Sequence, residues 1–247
     1  MEILGQAIKR ASHELSGREV VTVEEIRRVT YTIMLEFHTH GSGIDYEMIV
    51  DGVIESMCDE PATINSLNFS ERLELDDIEF RHTHSCTPTK ELVGEAYREY
   101  LKSKRLFDSM DRMREITDTF FTGYSIEDGL VRIYTKKKFR YGILYSIIDD
   151  VERFISIHES FSRSFDGEYV VVALTEKELS PFLRFFRRNS ERVKDAGFKI
   201  WVANVDQMSI DPFIGYPRDF TLLKGFRNPK VASQINSLWR DKVDQID

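Results

Sequence analysis

Two largely apolar runs in the second half of the chain constrain its fold more than any other feature. Tyr169–Leu174 is continuously apolar, which is typical of a strand buried on both faces, and Phe198–Val205 is predicted to be a second buried strand. The segment 175–196 between them has helical spacing, with Thr175 as a possible cap and Gly197 as a terminator. A strand, a helix and a second strand in this order predict a parallel pair with a right-handed crossover.

The sequence before these runs indicates further elements of the same domain. Asp128-Gly129 is a hairpin turn signal between a short run at 124–126 and a strand at 130–135. Residues 144–165 place apolar side chains and His158 along one side of a predicted helix. We therefore expect an α/β domain with a partly parallel sheet over residues 122–247.

The first part of the chain is predicted to form helices followed by a hairpin. Residues 2–16 have helical spacing, Thr22 with Glu25 can form a capping box for a helix ending near His38, and Asp45 can cap a helix to about Cys58. Residues 71–84 alternate as two short strands that turn at Asp76-Asp77. This order predicts a helical, winged-helix-like domain over residues 1–87.

A single long helix is predicted to follow this domain, over residues 88–121. Thr87-Pro88 is a helix start signal, and apolar residues then recur at steps of mostly three or four. The stripe they form consists of Val93, Ala96, Tyr100, Phe107, Met110, Met113, Ile116 and Phe120. One helix cannot bury such a stripe alone, so the sequence predicts a homodimer through residues 88–120.

Charge is divided unevenly along the 247 residues. Residues 1–120 hold 14 Lys and Arg against 24 Asp and Glu, whereas residues 121–247 hold 20 and 18. There is no Lys or Arg between Arg28 and Arg72, and residues 45–58 carry four carboxylates. Because nucleic-acid affinity comes mostly from basic side chains that neutralise phosphates, the sequence argues against DNA binding by this domain.

The composition also bears on location. No apolar stretch approaches the roughly 18 residues of a membrane span, and the N-terminal segment is amphipathic, without the apolar core of a signal peptide. Two cysteines are too few for a disulfide framework, and free thiols fit a reducing compartment. These features predict a cytoplasmic protein that does not enter a membrane.

Two copies of the tripeptide His-Thr-His are the main candidates for metal chemistry. They lie at residues 38–40 and 82–84, with Cys58 between them and Cys86 after the second copy. Imidazole and thiolate are zinc ligands, and alternate residues of an extended segment point to the same side. A zinc site would use His82, His84 and Cys86 with His40 or Cys58, while the alternative interpretation is metal-free packing.

Candidate ligand-binding residues lie in the C-terminal domain. Asp206, Asp211 and Asp219 follow a buried strand at the expected carboxyl edge of the sheet, where open α/β sheets bind ligands. Arg184 and Arg188, with neighbouring arginines on the same predicted helix, form a candidate anion-binding patch. No phosphate-binding glycine loop or nucleophile motif accompanies them.

The run YVVVALTEKELSPFLRFFRRNSERVKDAGFKIWVANV, followed by NPKVASQINSLWRD, resembles the sensor half of TrmB-type archaeal transcription regulators. That resemblance implies a phospholipase-D-like sensor domain after a winged helix and a coiled-coil helix, in the order predicted above. The His-x-Lys motif of phosphodiesterases is missing, so the resemblance implies no catalytic residues.

Two functions remain as hypotheses. The first is a non-enzymatic regulatory or interaction protein whose α/β domain binds a small ligand or a protein partner. The alternative is a metal-dependent hydrolase or nuclease that uses the histidine and cysteine cluster.

Overall fold

A computed structural model describes residues 2–37, 45–59, 67–155, 165–175, 179–197, 199–231 and 233. The chain divides into two compact units, Met1–Arg105 and Leu106–Asp247, and the boundary falls within one long helix. The predicted fold class is confirmed: the protein is a mixed α/β chain, with a helical N-terminal region and a C-terminal sheet that contains parallel pairs.

The first unit packs three helices with a small antiparallel sheet. Its elements are α1 (Glu2–Glu14), β1 (Val20–Thr22), α2 (Val23–Phe37), α3 (Tyr46–Cys58), β2 (Glu71–Leu75) and β3 (Ile78–His82). The strand order is β1-β3-β2, with both pairs antiparallel. Asp76 and Asp77, both with positive φ, form the tip of the β2-β3 hairpin, as predicted.

The predicted helix caps in this unit are confirmed. The Thr22 hydroxyl accepts a hydrogen bond from the Glu25 backbone N–H at 3.2 Å, and the Asp45 carboxylate accepts one from the Met48 N–H at 3.3 Å. Such caps satisfy N–H groups that have no partner within the helix. The chain after Phe37 includes residues 38–44, which lie outside the described residues.

The long helix α4 runs from Lys90 to Phe120. The predicted start at Thr87-Pro88 is wrong by two residues, because the Thr89 hydroxyl is the group that accepts from the Leu92 N–H, at 3.3 Å. The C-terminal half of the predicted apolar stripe is buried within the chain, since Met113 is fully buried and Ile116 is 3 % exposed. That half of the stripe therefore does not require a second copy.

The second unit is built on a six-stranded sheet of order β4-β5-β6-β7-β8-β9. The strands are β4 (Ser125–Glu127), β5 (Arg132–Lys136), β6 (Phe139–Ile147), β7 (Glu168–Leu174), β8 (Lys199–Asn204) and β9 (Ser209–Ile214). The predicted parallel pairing of β7 with β8 is confirmed, and β6 also pairs with β7 in parallel. The outer pairs are antiparallel.

Two predictions in this unit are wrong. Residues 139–147 form β6, so the helix expected over 144–165 cannot begin at 144. Strand β6 is followed by a 3-10 helix at Ile148–Asp150 and by helical residues 151–155. His158 lies outside the described residues. Helix α5 spans Ser180–Ala196 and is not capped by Thr175, whose N–H donates to the Ala203 carbonyl at 2.9 Å. Its end at Gly197, with φ of +67°, is as predicted.

Aromatic side chains fill one face of this sheet. Trp201 of β8 is fully buried, and its ring centroid lies 5.2 Å from that of Phe120 at the end of α4. The Thr117 hydroxyl lies 2.6 Å from the Tyr145 hydroxyl and 3.0 Å from the Tyr134 hydroxyl, which keeps these buried polar groups paired. The C-terminal half of α4 is therefore part of this unit's core.

No helix within the described residues is both long and apolar enough to cross a membrane.

Candidate functional site

The second His-Thr-His copy does not form the extended ligand row predicted from its alternation. Strand β3 ends at His82, and the chain then turns, because the Cys86 N–H donates to the Thr83 carbonyl at 3.0 Å. The His82 Nδ1 atom lies 3.1 Å from the Thr83 carbonyl oxygen. The His84 side chain is 92 % exposed, and its Nδ1 atom lies 2.9 Å from a carboxylate oxygen of Glu71. The prediction of one shared extended face for these residues is wrong.

The two cysteines are also separate from the histidines in their contacts. Cys58 is buried at the end of α3, and burial raises the pKa of its thiol to about 11. The Cys86 Sγ atom lies 3.8 Å from a Glu19 carboxylate oxygen; desolvation and this carboxylate both raise the pKa of the Cys86 thiol. Within the described part of the chain, no three His, Cys, Asp or Glu side chains are grouped as metal ligands. His40 lies outside it, and zinc binding stays a prediction.

The three candidate aspartates do not come together. Asp206 is exposed in the turn between β8 and β9, beyond the carboxyl end of β8. Asp211 lies within β9, opposite Val202, and not beyond the end of β8 at the carboxyl edge, as predicted; burial raises the pKa of its carboxyl group. Asp219 begins a 3-10 helix at Phe220–Gly225, and the neighbouring Arg218 N–H donates to Glu168 at the start of β7. Asp206 and Asp219 are therefore at opposite ends of the parallel strands.

Asp219 has a structural role in the observed fold. It accepts hydrogen bonds from the Tyr124 hydroxyl at 2.5 Å and from the Thr221 N–H at 2.9 Å. Burial acts to raise the pKa of Asp219, but these hydrogen bonds outweigh it and the pKa is lowered. Burial, together with the same contact with Asp219, raises the pKa of the Tyr124 hydroxyl. Asp219 thus fixes the segment after β9 against the sheet.

The two candidate arginines do lie side by side. Arg184 and Arg188 are exposed on α5 and line a cleft of about 60 Å³ together with Asp149 and Glu152. Asp149 and Glu152 follow the carboxyl end of β6, so the cleft is at the edge of the sheet where ligands of open α/β sheets bind. Its mixed charges suit a small zwitterionic or polar group more than a bare anion.

A larger concavity lies in the first unit, between the β2-β3 hairpin and the N-terminal part of α4. We call it the hairpin groove; it has a volume of about 490 Å³, within the range of ligand and peptide sites. It is lined by Leu73, Leu75, Asp76, Ile78, Phe80, Pro88, Thr89, Lys90, Val93, Gly94 and Tyr97. The groove could not be predicted from the sequence, because it combines two elements that are predicted separately.

The register of the hairpin explains why one of its faces is apolar. Leu73 pairs with Phe80 and Leu75 pairs with Ile78, and directly opposed residues of an antiparallel pair lie on the same face. Phe80 is buried with Val20 and Ala96, whereas Leu75 at the tip is 44 % exposed. The groove is therefore closed at its base and open towards the tip.

The outer surface of α3 is acidic. Ile49, Val50 and Val53 are buried, and the opposite side of the helix exposes Glu47, Asp51 and Glu55 at successive steps of four residues; Met48 beside them is 60 % exposed. Elsewhere in the unit, the tip of the β2-β3 hairpin exposes the carboxylates of Asp76 and Asp77. No basic side chain on α3 offsets this charge.

These observations define a two-unit α/β protein whose first unit has an apolar groove and an acidic helix. The chain belongs to the family described as "Domain of unknown function (DUF6834), C-terminal domain", whose model matches residues 99–228. A second model, described as "Domain of unknown function (DUF6846)", matches residues 6–97. The two matches divide the chain within α4, as the compact units do. A search of curated proteins gave no match to the chain.

Proposed function

We propose that the protein is a non-enzymatic regulatory or interaction protein. Its first unit binds protein rather than DNA, it forms a homodimer through the region 88–120, and its α/β unit binds a small ligand or a protein partner. The organisation is that of a TrmB-type regulator, with a winged-helix-like unit, a long helix and a phospholipase-D-like sensor unit without the catalytic motif.

The acidic surface of α3 carries this proposal. The element order of the first unit and the strand order β1-β3-β2 support a winged-helix arrangement, in which a helix at the position of α3 would enter the major groove. The side chains that would meet the DNA include Glu47, Asp51 and Glu55. Carboxylates repel phosphates and cannot replace the Arg, Lys, Asn and Gln contacts that read bases.

The hairpin groove supports protein binding by the same unit. Its walls are mainly leucine, isoleucine, valine and aromatic side chains, and the exposed apolar surface continues from Tyr97 in its wall to Leu101 beyond it, which are 43 % and 45 % exposed. Contiguous exposed apolar surface on a protein of this kind marks an interaction site. For the second unit, the cleft with Arg184 and Arg188 supports the binding of a small polar ligand.

A DNA-binding measurement tests the proposal. We expect no salt-dependent binding of the parent protein to a labelled duplex in fluorescence anisotropy at micromolar concentration. Changing Glu47, Asp51 and Glu55 to lysine should create such binding, since it reverses the charge of the surface that a winged helix presents.

The matched control changes Glu127, Asp166 and Asp195, which are exposed carboxylates of the second unit, to lysine. It alters the net charge equally and should gain less affinity than the α3 variant. A parent protein that binds duplex with submicromolar, salt-dependent affinity would contradict the proposed function.

A further inference from the structure

A second row of residues on α4 differs from the buried stripe and faces solvent. Its members follow alternating steps of four and three residues, the spacing of a coiled-coil seam. We call this row the outer seam; it consists of Lys90, Gly94, Tyr97, Leu101, Lys104 and Asp108. Gly94 is half-buried and the other five are exposed. The first three members also line the hairpin groove.

The centre of the outer seam is apolar and uncovered. Tyr97 and Leu101 are among the exposed large apolar residues of the chain, and Leu75 at the hairpin tip is a third within the same unit. Val93 and Tyr100, next to the seam on the same helix, are half-buried. The apolar surface is thus continuous from the groove to Leu101.

Gly94 is not required by the fold of the single chain. A Cβ atom added at this position would meet no atom within 4 Å, and glycine within a helix costs about 1 kcal/mol relative to alanine. A glycine in a seam permits the close approach of a second helix. Gly94 therefore marks the point where a neighbouring helix can come nearest.

Charges at the ends of the outer seam are complementary in one orientation only. If a second α4 packs antiparallel, so that Tyr97 faces the partner's Leu101, then Lys90 faces the partner's Asp108. The flanking residue Glu91 then faces the partner's Arg105. In a parallel, in-register pair, Lys90 and Asp108 would instead each face their own like-charged copy.

We propose that the hairpin groove and the outer seam are completed by α4 of a second copy of this chain, packed antiparallel about Tyr97 and Leu101. The inference rests on the homodimer of the proposed function and adds its surface and orientation. The interface is isologous, so every contact occurs twice. Arg98 lies nearest the two-fold axis and opposes its own copy, which is the one unfavourable charge contact of this arrangement.

Sedimentation equilibrium of the full chain tests the proposal. We expect the parent to be a reversible dimer, and the double variant Tyr97→Asp with Leu101→Asp to be a monomer at micromolar concentration. Leu179→Asp is the matched control, because Leu179 is 73 % exposed on the second unit and its change should leave the dimer intact. Tyr97→Ser with Leu101→Gln gives a milder variant if the aspartates disturb the fold.

Charge exchange tests the orientation. Lys90→Asp alone and Asp108→Lys alone should each weaken dimerisation about tenfold, because each change affects two symmetry-related pairs. The two changes together should restore the parent dissociation constant to within about threefold. Arg98→Ser should strengthen the dimer.

Each contrary outcome has a distinct meaning. A parent that stays monomeric overturns both the seam and the homodimer of the proposed function. A dimer that survives the Tyr97 and Leu101 changes overturns the seam alone. A dimer that depends on Tyr97 and Leu101, but shows no compensation between Lys90 and Asp108, overturns the antiparallel orientation.

Discussion

One buried carboxyl group, that of Glu25, makes the stability of the first unit depend on pH. Glu25 on α2 is 3 % exposed, and burial raises the pKa of its carboxyl group from 4.5 to about 7, although Arg18 at 3.2 Å acts in the opposite direction. The folded chain therefore keeps a proton that the unfolded chain has released, and this carboxyl group reduces stability as the pH rises from about 4.5 to about 7.

Glu25→Gln removes this ionisation. We expect the variant to gain stability relative to the parent as the pH is raised from 5 to 8, by up to about 3 kcal/mol. Urea unfolding at several pH values measures the difference, and Glu24→Gln, on a more exposed neighbour, is the control. A difference between parent and Glu25→Gln that does not vary with pH would contradict the assignment.

At the scale of elements, glycine stabilises the end of a helix where φ is positive and destabilises the interior of a helix. Gly197 follows α5 with φ of +67°, whereas Gly5 lies inside α1; an added Cβ meets no atom within 4 Å at either position. Gly197→Ala should lower the free energy of unfolding by about 1 kcal/mol, because it strains the helix end. Gly5→Ala should raise it by up to about 1 kcal/mol. Thermal denaturation of both variants checks the two signs, and a stabilising Gly197→Ala would contradict the first.

The helices and strands that could be predicted from the sequence are those marked by a local feature, such as a helix cap, a hairpin turn or an apolar run. Asp45 is a cap for α3, Asp76-Asp77 is a hairpin turn, and the apolar run of β7 is buried along its whole length. Strand β6 was missed because Leu144, Ile148 and Val151 have helical spacing although the chain around Leu144 is extended. Strand β9 was missed because it contains Asp211 and Pro212; an edge strand tolerates a proline that an inner strand excludes.

The candidate sites were less predictable than the elements. The hairpin groove depends on Leu75 and Tyr97, which belong to separate elements and meet through the packing of the hairpin on α4. The histidine row failed because a turn after His82 interrupts the alternation, and alternation alone does not show where a strand ends. Arg184 and Arg188 were placed together correctly because they are four residues apart on one helix.

At the scale of the whole molecule, the net charge is confined to the first unit. Residues 1–105 hold 12 Lys and Arg against 20 Asp and Glu, and residues 106–247 hold 22 of each, so the first unit accounts for the formal net charge of −8. A strongly acidic unit with an apolar groove is suited to protein contacts rather than to nucleic acid. Partner binding through the first unit should accordingly weaken with salt only if the partner is basic.

We expect the two units to unfold separately, and one substitution tests this expectation. Val171 of β7 is fully buried in the sheet of the second unit, and an unpaired charge there costs several kcal/mol. Trp201 is buried in that unit, so a change in its emission reports on that unit, whereas far-ultraviolet circular dichroism reports on both units; Trp239 lies outside the described residues.

Val171→Asp should therefore shift the tryptophan emission to that of an unfolded protein, since Trp201 is fully buried in the parent. Helical circular dichroism from the first unit should remain and be lost in a separate cooperative transition. Ile126→Asp, which places the same charge at a 46 % exposed position of the same unit, should leave both signals near those of the parent. Emission unchanged in Val171→Asp would contradict the burial of β7, and loss of all helical signal would show that the first unit does not fold without the second.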